Sequence, residues 1–407
     1  IGLVMSFFLG YIVAEPPDIP ESLQVIFWFY VANNMASYLL TYKKSILIAY
    51  QEDYIISVVQ QITSVVQQLI QIILLYVTKQ YLLYLFVQIL CTIANNVVIS
   101  IVVNKRYPWL KKSESEKLPP EVSKEIFTNV KALSISKIAG VVSNGSDNII
   151  ISKFVGLSSV GLASNYTMII NSLNGILWNG LSSMTSSFGN FNVDSTIERR
   201  RKLFNELFLC AYWLYGFMTI GIATLANSFI QLWVGADYLV PQNVVFALIL
   251  ITYVSGVNFP VYTYQTTLGM FDKMKWPYVL FAIFNITLSV FLGKIWGLFG
   301  VYIATSISRL CTSEVASGYY VYRYGLQLSP SEYLKKYLSA FGLLIFNLLI
   351  TNYVVSLVPQ SGIVGFVIKT AVCVIVCNTI YLICFFRKAE FQSLFARVIS
   401  LLNSRRK

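Results

Sequence analysis

Long apolar runs alternate with short polar gaps along the whole chain. A transmembrane helix needs about 20 mostly apolar residues, and twelve runs reach or approach that length: 1–13, 23–41, 54–77, 81–103, 126–152, 158–185, 203–227, 243–268, 277–293, 299–322, 334–357 and 363–386. No gap between them could hold a domain. The pattern predicts an all-α polytopic membrane protein. Composition agrees, because the 407 residues are 56% hydrophobic and only 12% charged, about half the charge of an ordinary soluble domain. A soluble globular enzyme is excluded.

The net charge of +12 falls unevenly. Alternate gaps on one side carry 23 of the 30 Lys and Arg, whereas the other side has only Lys79, Lys153 and Lys294 and the acidic, Pro-rich turn 15–21. Cytoplasmic loops retain positive charge, so both ends are expected in the cytoplasm. Because these bases sit in short gaps between apolar runs, not on a solvated face, nucleic acid is not an expected partner. The chain has no His, which removes a zinc enzyme, a His-based triad and a His proton relay. No P-loop or nucleophile elbow occurs, so neither catalysis nor a cofactor or metal is expected. All six Cys lie in apolar runs and read as small apolar filler, with no disulfide framework.

The longest polar gap divides the expected organisation. Residues 1–104 form an incomplete N-terminal lobe of four spans, 105–125 a cytoplasmic linker, 126–322 a second lobe of six spans, and 323–386 two extra C-terminal spans. Ile1 is not a start Met and no signal peptide is evident, so an even number of further spans is expected to precede it. In the basic tail 387–407, Phe391, Leu394, Phe395, Val398, Leu401 and Leu402 recur at helical spacing. That pattern suits an amphipathic helix on the inner leaflet, or a plain anchoring tail.

Four bases fall within spans. Lys131 and Lys369, about one turn from a span end, can snorkel, whereas Lys137 and Arg309 lie about 15 Å in and need a hydrophilic lumen or a buried partner. Polar positions also line up on helical faces. Ser136, Lys137, Ser143, Asn144, Asp147 and Asn148 share one arc of the fifth run, opposite Ile135, Ile138, Val142 and Ile149. Thr167, Asn171, Asn174, Trp178, Ser182 and Thr185 share another. Gln60, Gln67 and Gln71 lie on a third, with Val59, Ile62, Val66, Leu69 and Ile73 turned away, and Tyr302, Thr305, Ser306, Arg309, Ser313 and Tyr320 form a fourth. Polar faces can simply join helices. Four stripes of this depth exceed that need and point to a shared polar cavity, in which amides and an aromatic ring suit sugars and Lys or Arg suits a phosphate. Asp147 is either an ion-coupling site or the partner of a buried base.

From Asn144 onward the chain resembles the polysaccharide flippases, the Wzx-type branch of the MOP transporter superfamily, which also contains MATE drug exporters and lipid II flippases. The resemblance rests on Gly145-Ser-Asp-Asn-Ile-Ile-Ile-Ser-Lys-Phe-Val-Gly156, Val160-Gly161-Leu162 and Asn165-Tyr166. Ser187-Phe-Gly-Asn190, Phe229-Ile-Gln-Leu-Trp-Val-Gly235, Tyr238-Leu239, Gly269-Met-Phe271, Asn285 to Ser289 and Gly297-Leu-Phe-Gly300 follow in order. Ala304 stands where the family pattern has Gly. The resemblance implies a MATE-like fold of two six-helix lobes and two extra helices, fourteen spans with the first two missing here.

It further implies a transporter of the bacterial cytoplasmic membrane that flips undecaprenyl-diphosphate-linked oligosaccharide repeat units to the outer leaflet for surface polysaccharide such as capsule or O-antigen. Expected partners are that lipid-linked sugar, the bilayer and polysaccharide polymerase machinery. The stripes supply the expected substrate-binding residues: Lys137, Arg309, Asn144, Asn148, Asn171, Asn174, Trp178, Gln60, Gln67 and Gln71, with Asp147 for ion coupling. Rival readings are a lipid II or drug exporter of the same superfamily and, from another class, a membrane polysaccharide polymerase, which the small outer gaps disfavour.

Overall fold

A computed structural model describes residues 2–13, 20–50, 52–111, 119–194, 196–359 and 362–404; the side chains of 135–137, 139–144, 183–194 and 397–404 are among those outside the description. The described residues form α1 (Gly2–Phe7), α2 (Leu9–Ile12), α3 (Leu23–Tyr38), α4 (Thr41–Ala49), α5 (Asp53–Thr78), α6 (Tyr81–Arg106), α7 (Pro120–Phe154) and α8 (Leu157–Asp194). There follow α9 (Ile197–Trp233), α10 (Gln242–Val257), α11 (Phe259–Thr267), α12 (Phe271–Arg309), α13 (Val315–Tyr320), α14 (Pro330–Ser356), α15 (Gly362–Phe385) and α16 (Ala389–Ser404). No strand occurs among them. The chain divides into two compact units, Ile1–Pro120 and Glu121–Lys407.

Unit one is built on α6, against which α3, α4 and α5 pack. With lipid as apolar as Leu, such helices are joined by close contact and interhelical hydrogen bonds. Asn96 donates to the Ala36 carbonyl at 2.9 Å, Thr92 to Asn33 at 2.8 Å, and Lys43 to Ser100 at 2.7 Å and Asn104 at 2.9 Å. Lys43, read from sequence as a loop base, is thus tied to α6. On α5 the apolar residues Ile62, Val66, Leu69 and Ile73 are exposed, as expected of a face turned to lipid.

Unit two is organised on α9, which packs against α8, α10, α14, α15 and α16. Its core is aromatic: Tyr215, Tyr253, Phe204 and Tyr381 are fully buried. Two predicted spans are interrupted. The run 243–268 is α10 and α11, bent by 42° at Asn258, and the runs 277–293 and 299–322 form one continuous helical segment broken at Gly297 (φ 58, ψ −135). This break makes a hairpin without a loop. A left-handed φ favours glycine, and a Cβ on Gly300 would lie 2.0 Å from the Leu292 carbonyl oxygen, so Gly297-Leu-Phe-Gly300 supplies both the turn and the close approach. Beyond Arg309 the helix widens into π-turns at Leu310–Glu314 and Val321–Gly325. Downstream, Pro330 starts α14 behind Ser329, whose hydroxyl accepts from the Ser331 amide at 3.4 Å, a usual N-terminal pairing.

Six helical segments among the described residues are long and apolar enough to cross a membrane, and the bent α10–α11 pair makes a seventh. One of the six, Phe271–Gly325, contains two predicted spans. The predicted spans 23–41, 126–152 and 158–185 are helical, as α3, α7 and α8, but are not among these segments over their described residues. Phe391 stacks on Trp213 of α9 with ring centroids 5.8 Å apart, and Phe391 and Leu394 pack against the unit-two core. Part of the apolar stripe therefore faces protein, because α9 offers an aromatic surface there; Phe395 remains exposed.

Candidate functional site

Within unit two, side chains far apart in sequence meet in a buried polar cluster. Asp147 of α7 is 8% exposed, Asn285 and Ser289 of α12 are fully buried, and Thr305, beyond the Gly297 break, is 2% exposed. Thr305 Oγ1 donates to Asp147 Oδ2 at 2.8 Å. Asn285 Nδ2 donates to Thr305 Oγ1 at 2.8 Å and to Ser289 Oγ at 3.3 Å, while Ser146 Oγ approaches Asn285 Oδ1 at 3.5 Å. Asn285 and Ser289 share a face because they stand four apart on one helix. The hairpin at Gly297 then folds Thr305 back beside them.

The second Asp147 oxygen, Oδ1, has no hydrogen-bond partner among the described residues, and no described ion pair reaches this carboxylate. A buried carboxylate is costly unless a proton, a cation or strong donors compensate it. The atoms of the cluster able to ligate a cation are oxygens: the Asp147 carboxylate, the hydroxyls of Ser146, Ser289 and Thr305, and the Asn285 carbonyl. Hard oxygen donors suit a proton or a hard cation, not a thiolate- or imidazole-seeking metal. Among the described residues no group of three or more His, Cys, Asp or Glu could hold a metal ion.

One turn further along α12, Arg309 Nη1 donates to Ser255 Oγ at 2.7 Å, and its guanidinium lies 5.2 Å from the Phe281 ring centroid. Stacking of this kind holds a delocalised cation in partly apolar surroundings. Beyond it, the π-turn presents Glu314 to Asn258, which donates to the carboxylate from the α10–α11 break. Tyr333 of α14 donates to Asn258 Oδ1 at 2.9 Å. Two interrupted helices are thereby joined through polar side chains.

The predicted residues fare differently. Arg309 and Asp147 lie in this polar region. Asn148 and Asn171 are exposed, Asn174 accepts from Tyr215 at 2.9 Å, and Trp178 packs edge-on against Phe259 with centroids 4.8 Å apart. In unit one Gln60 is exposed, while Gln67 donates to Gln71 at 3.3 Å and the buried Gln71 donates to the Tyr84 carbonyl at 3.1 Å. The side chains of Lys137 and Asn144 lie outside the described residues. Asn285 and Ser289 were not among the predicted site residues. The available signal was a carboxamide and a hydroxyl four residues apart within an otherwise apolar run.

Helices of this length and apolarity define an all-helical, multi-pass membrane protein. A solved structure of the lipid II flippase MurJ in an inward-closed conformation is similar, with a TM-score of 0.67 and 14% identity over 94% of this chain and 80% of that one. At that identity the likeness shows a shared fold. No protein-family model matches the chain. No curated protein matches it by sequence.

Proposed function

We propose that the chain is a transporter that moves an undecaprenyl-diphosphate-linked oligosaccharide from the inner to the outer leaflet of a bacterial cytoplasmic membrane, by alternating access, for surface polysaccharide assembly. The observation that carries this reading is a flippase-like fold with a polar region buried in one of its units, where Arg309, Asp147 and Glu314 stand among the carboxamides of Asn258 and Asn285. Arg309, with Lys137, would meet the diphosphate, and Asn144, Asn148, Asn171, Asn174 and Trp178 would meet the sugars. Asn174 and Trp178 would have to leave their present partners to do so. Asp147, with Thr305 and Asn285, would bind the coupling proton or cation. Both ends would lie in the cytoplasm, as the loop charges suggest.

Lipid II is a second reading, favoured by the likeness to MurJ. It shares the prenyl-diphosphate chemistry and differs in the saccharide. The test is a depletion strain of the source bacterium, in which lipid-linked intermediates are recovered and their leaflet is probed with a membrane-impermeant modifying enzyme. Complete repeat units trapped on the inner face are expected. Trapped lipid II would move the assignment to the second reading, and repeat units accessible from outside would overturn transport by this chain and favour a polymerase.

A further inference from the structure

A cavity of about 220 Å³ opens between α9, α14, α15 and the start of α16 in unit two, away from the Asp147 cluster. Its lining is mixed. Phe208, Leu343 and Phe385 give it apolar surface, while Lys336, Lys388 and Glu390 line it as well. Lys336 donates to Asn205, another lining residue, which fixes its ammonium at the wall. The Lys388 ammonium lies 4.8 Å from the Phe385 ring centroid, which sets a cation beside the apolar part of the lining. The two stretches that bring these charges, 332–336 and 387–390, hold four basic residues (Lys335, Lys336, Arg387, Lys388) against two acidic ones (Glu332, Glu390). An excess of positive charge beside apolar lining, at the ends of membrane-spanning helices, complements an amphiphile with an acidic headgroup.

We propose that this cavity binds an anionic membrane lipid, with its phosphate between Lys336 and Lys388 and the first methylenes of one acyl chain over Phe208 and Phe385. A volume equal to roughly seven waters' share of the liquid accommodates a headgroup and a short stretch of chain. The remainder of the lipid would run along the exposed apolar surface of α14 and α15, where Leu338, Phe346 and Ile383 face outward. The occupant would be a resident lipid of the bilayer, not the transported one, and it would hold α16 and the two C-terminal spans to α9. Placing it in the inner leaflet rests on the orientation proposed above; the pairing of lipid and cavity does not.

The chain carries its own reporter, because Cys384 lines this cavity and Cys311, on the π-turn, is exposed elsewhere. The full chain is placed in nanodiscs of phosphatidylglycerol or phosphatidylcholine and treated with neutral N-ethylmaleimide, and labelling at Cys384 is measured relative to Cys311 by peptide mass spectrometry. The expected result is at least three-fold lower relative labelling of Cys384 in phosphatidylglycerol. The Lys336→Gln/Lys388→Gln double variant, in which the introduced carboxamide retains a donor for Asn205, should label equally in both lipids. Equal labelling of the unmodified chain would overturn the proposal. So would protection that survives the double variant, or protection in phosphatidylcholine by inorganic phosphate alone, which would mark a site for a soluble anion. Nanodiscs expose both leaflets and require no transport, so failure of the flippase reading leaves this test unaffected.

Discussion

Thr305 donates its hydroxyl hydrogen to Asp147 at 2.8 Å, a bond that joins residues 158 positions apart and fixes the buried carboxylate from the far arm of a loopless helical hairpin. Replacing Thr305 by Val keeps the shape and removes the donor. A buried acceptor that loses its partner costs about 1–3 kcal/mol. The expected outcome is a lower thermal midpoint for purified Thr305→Val, whereas Thr305→Ser should retain most of the stability.

Asp147→Asn tests the coupling role separately from folding. The amide retains an oxygen able to accept from Thr305 but cannot bind a proton or balance a cation. Protein level should stay near that of the unmodified chain, while transport in vesicles should fall at least ten-fold and lose its dependence on an imposed ion gradient. Retained, gradient-dependent transport would remove Asp147 from the mechanism.

Arg309 is held by Ser255 and the Phe281 ring. Arg309→Gln removes the charge while keeping a donor for Ser255, so surface polysaccharide should drop several-fold without loss of protein. Arg309→Lys should recover only part of it, because an ammonium lacks the planar fork that grips a diphosphate. Normal polysaccharide in an Arg309→Gln/Lys137→Gln double variant would refute anion docking at these positions.

The hairpin gives a backbone prediction. Gly300→Ala places a methyl 2.0 Å from the Leu292 carbonyl, and overpacking of this kind costs about 1–3 kcal/mol. Gly297→Ala meets no such wall but must hold a positive φ with ψ −135, a conformation that essentially only glycine adopts, at about 1–3 kcal/mol. Gly161→Ala, with open space around its Cβ, is the control and should leave the folded yield unchanged. Fluorescence-detected size exclusion ranks the three.

Much of the helical layout was legible, because apolar runs of membrane length announce themselves without tertiary information. Single helices read well for the same reason: Asp147 and Arg309 stand out as charges inside apolar runs, and both lie in the polar region of unit two. What sequence could not show was pairing. Asn174 and Gln71 lie on polar stripes, yet their partners are Tyr215 and the Tyr84 carbonyl, because a helical wheel gives the direction of a side chain and not what stands opposite. The wheel also loses phase after Arg309. Each π-turn accommodates an extra residue, so the face drawn through Thr305, Ser313 and Tyr320 does not continue as a straight line. Asn285 and Ser289 were hidden for a third reason. Their importance depends on the fold-back at Gly297, a three-dimensional event.

Mechanically, unit two is not a uniform block. Interruptions of the regular helical ladder are where helices bend, and this unit has them at Asn258 and at both π-turns, two of them clasped to each other through Glu314 and to α14 through Tyr333. Bending of the unit is expected at these breaks, whereas α9 runs uninterrupted from Ile197 to Trp233 within its aromatic surround. A displacement at either of the two clasped breaks therefore bears directly on the other, and on α14, through the Glu314, Asn258 and Tyr333 side chains.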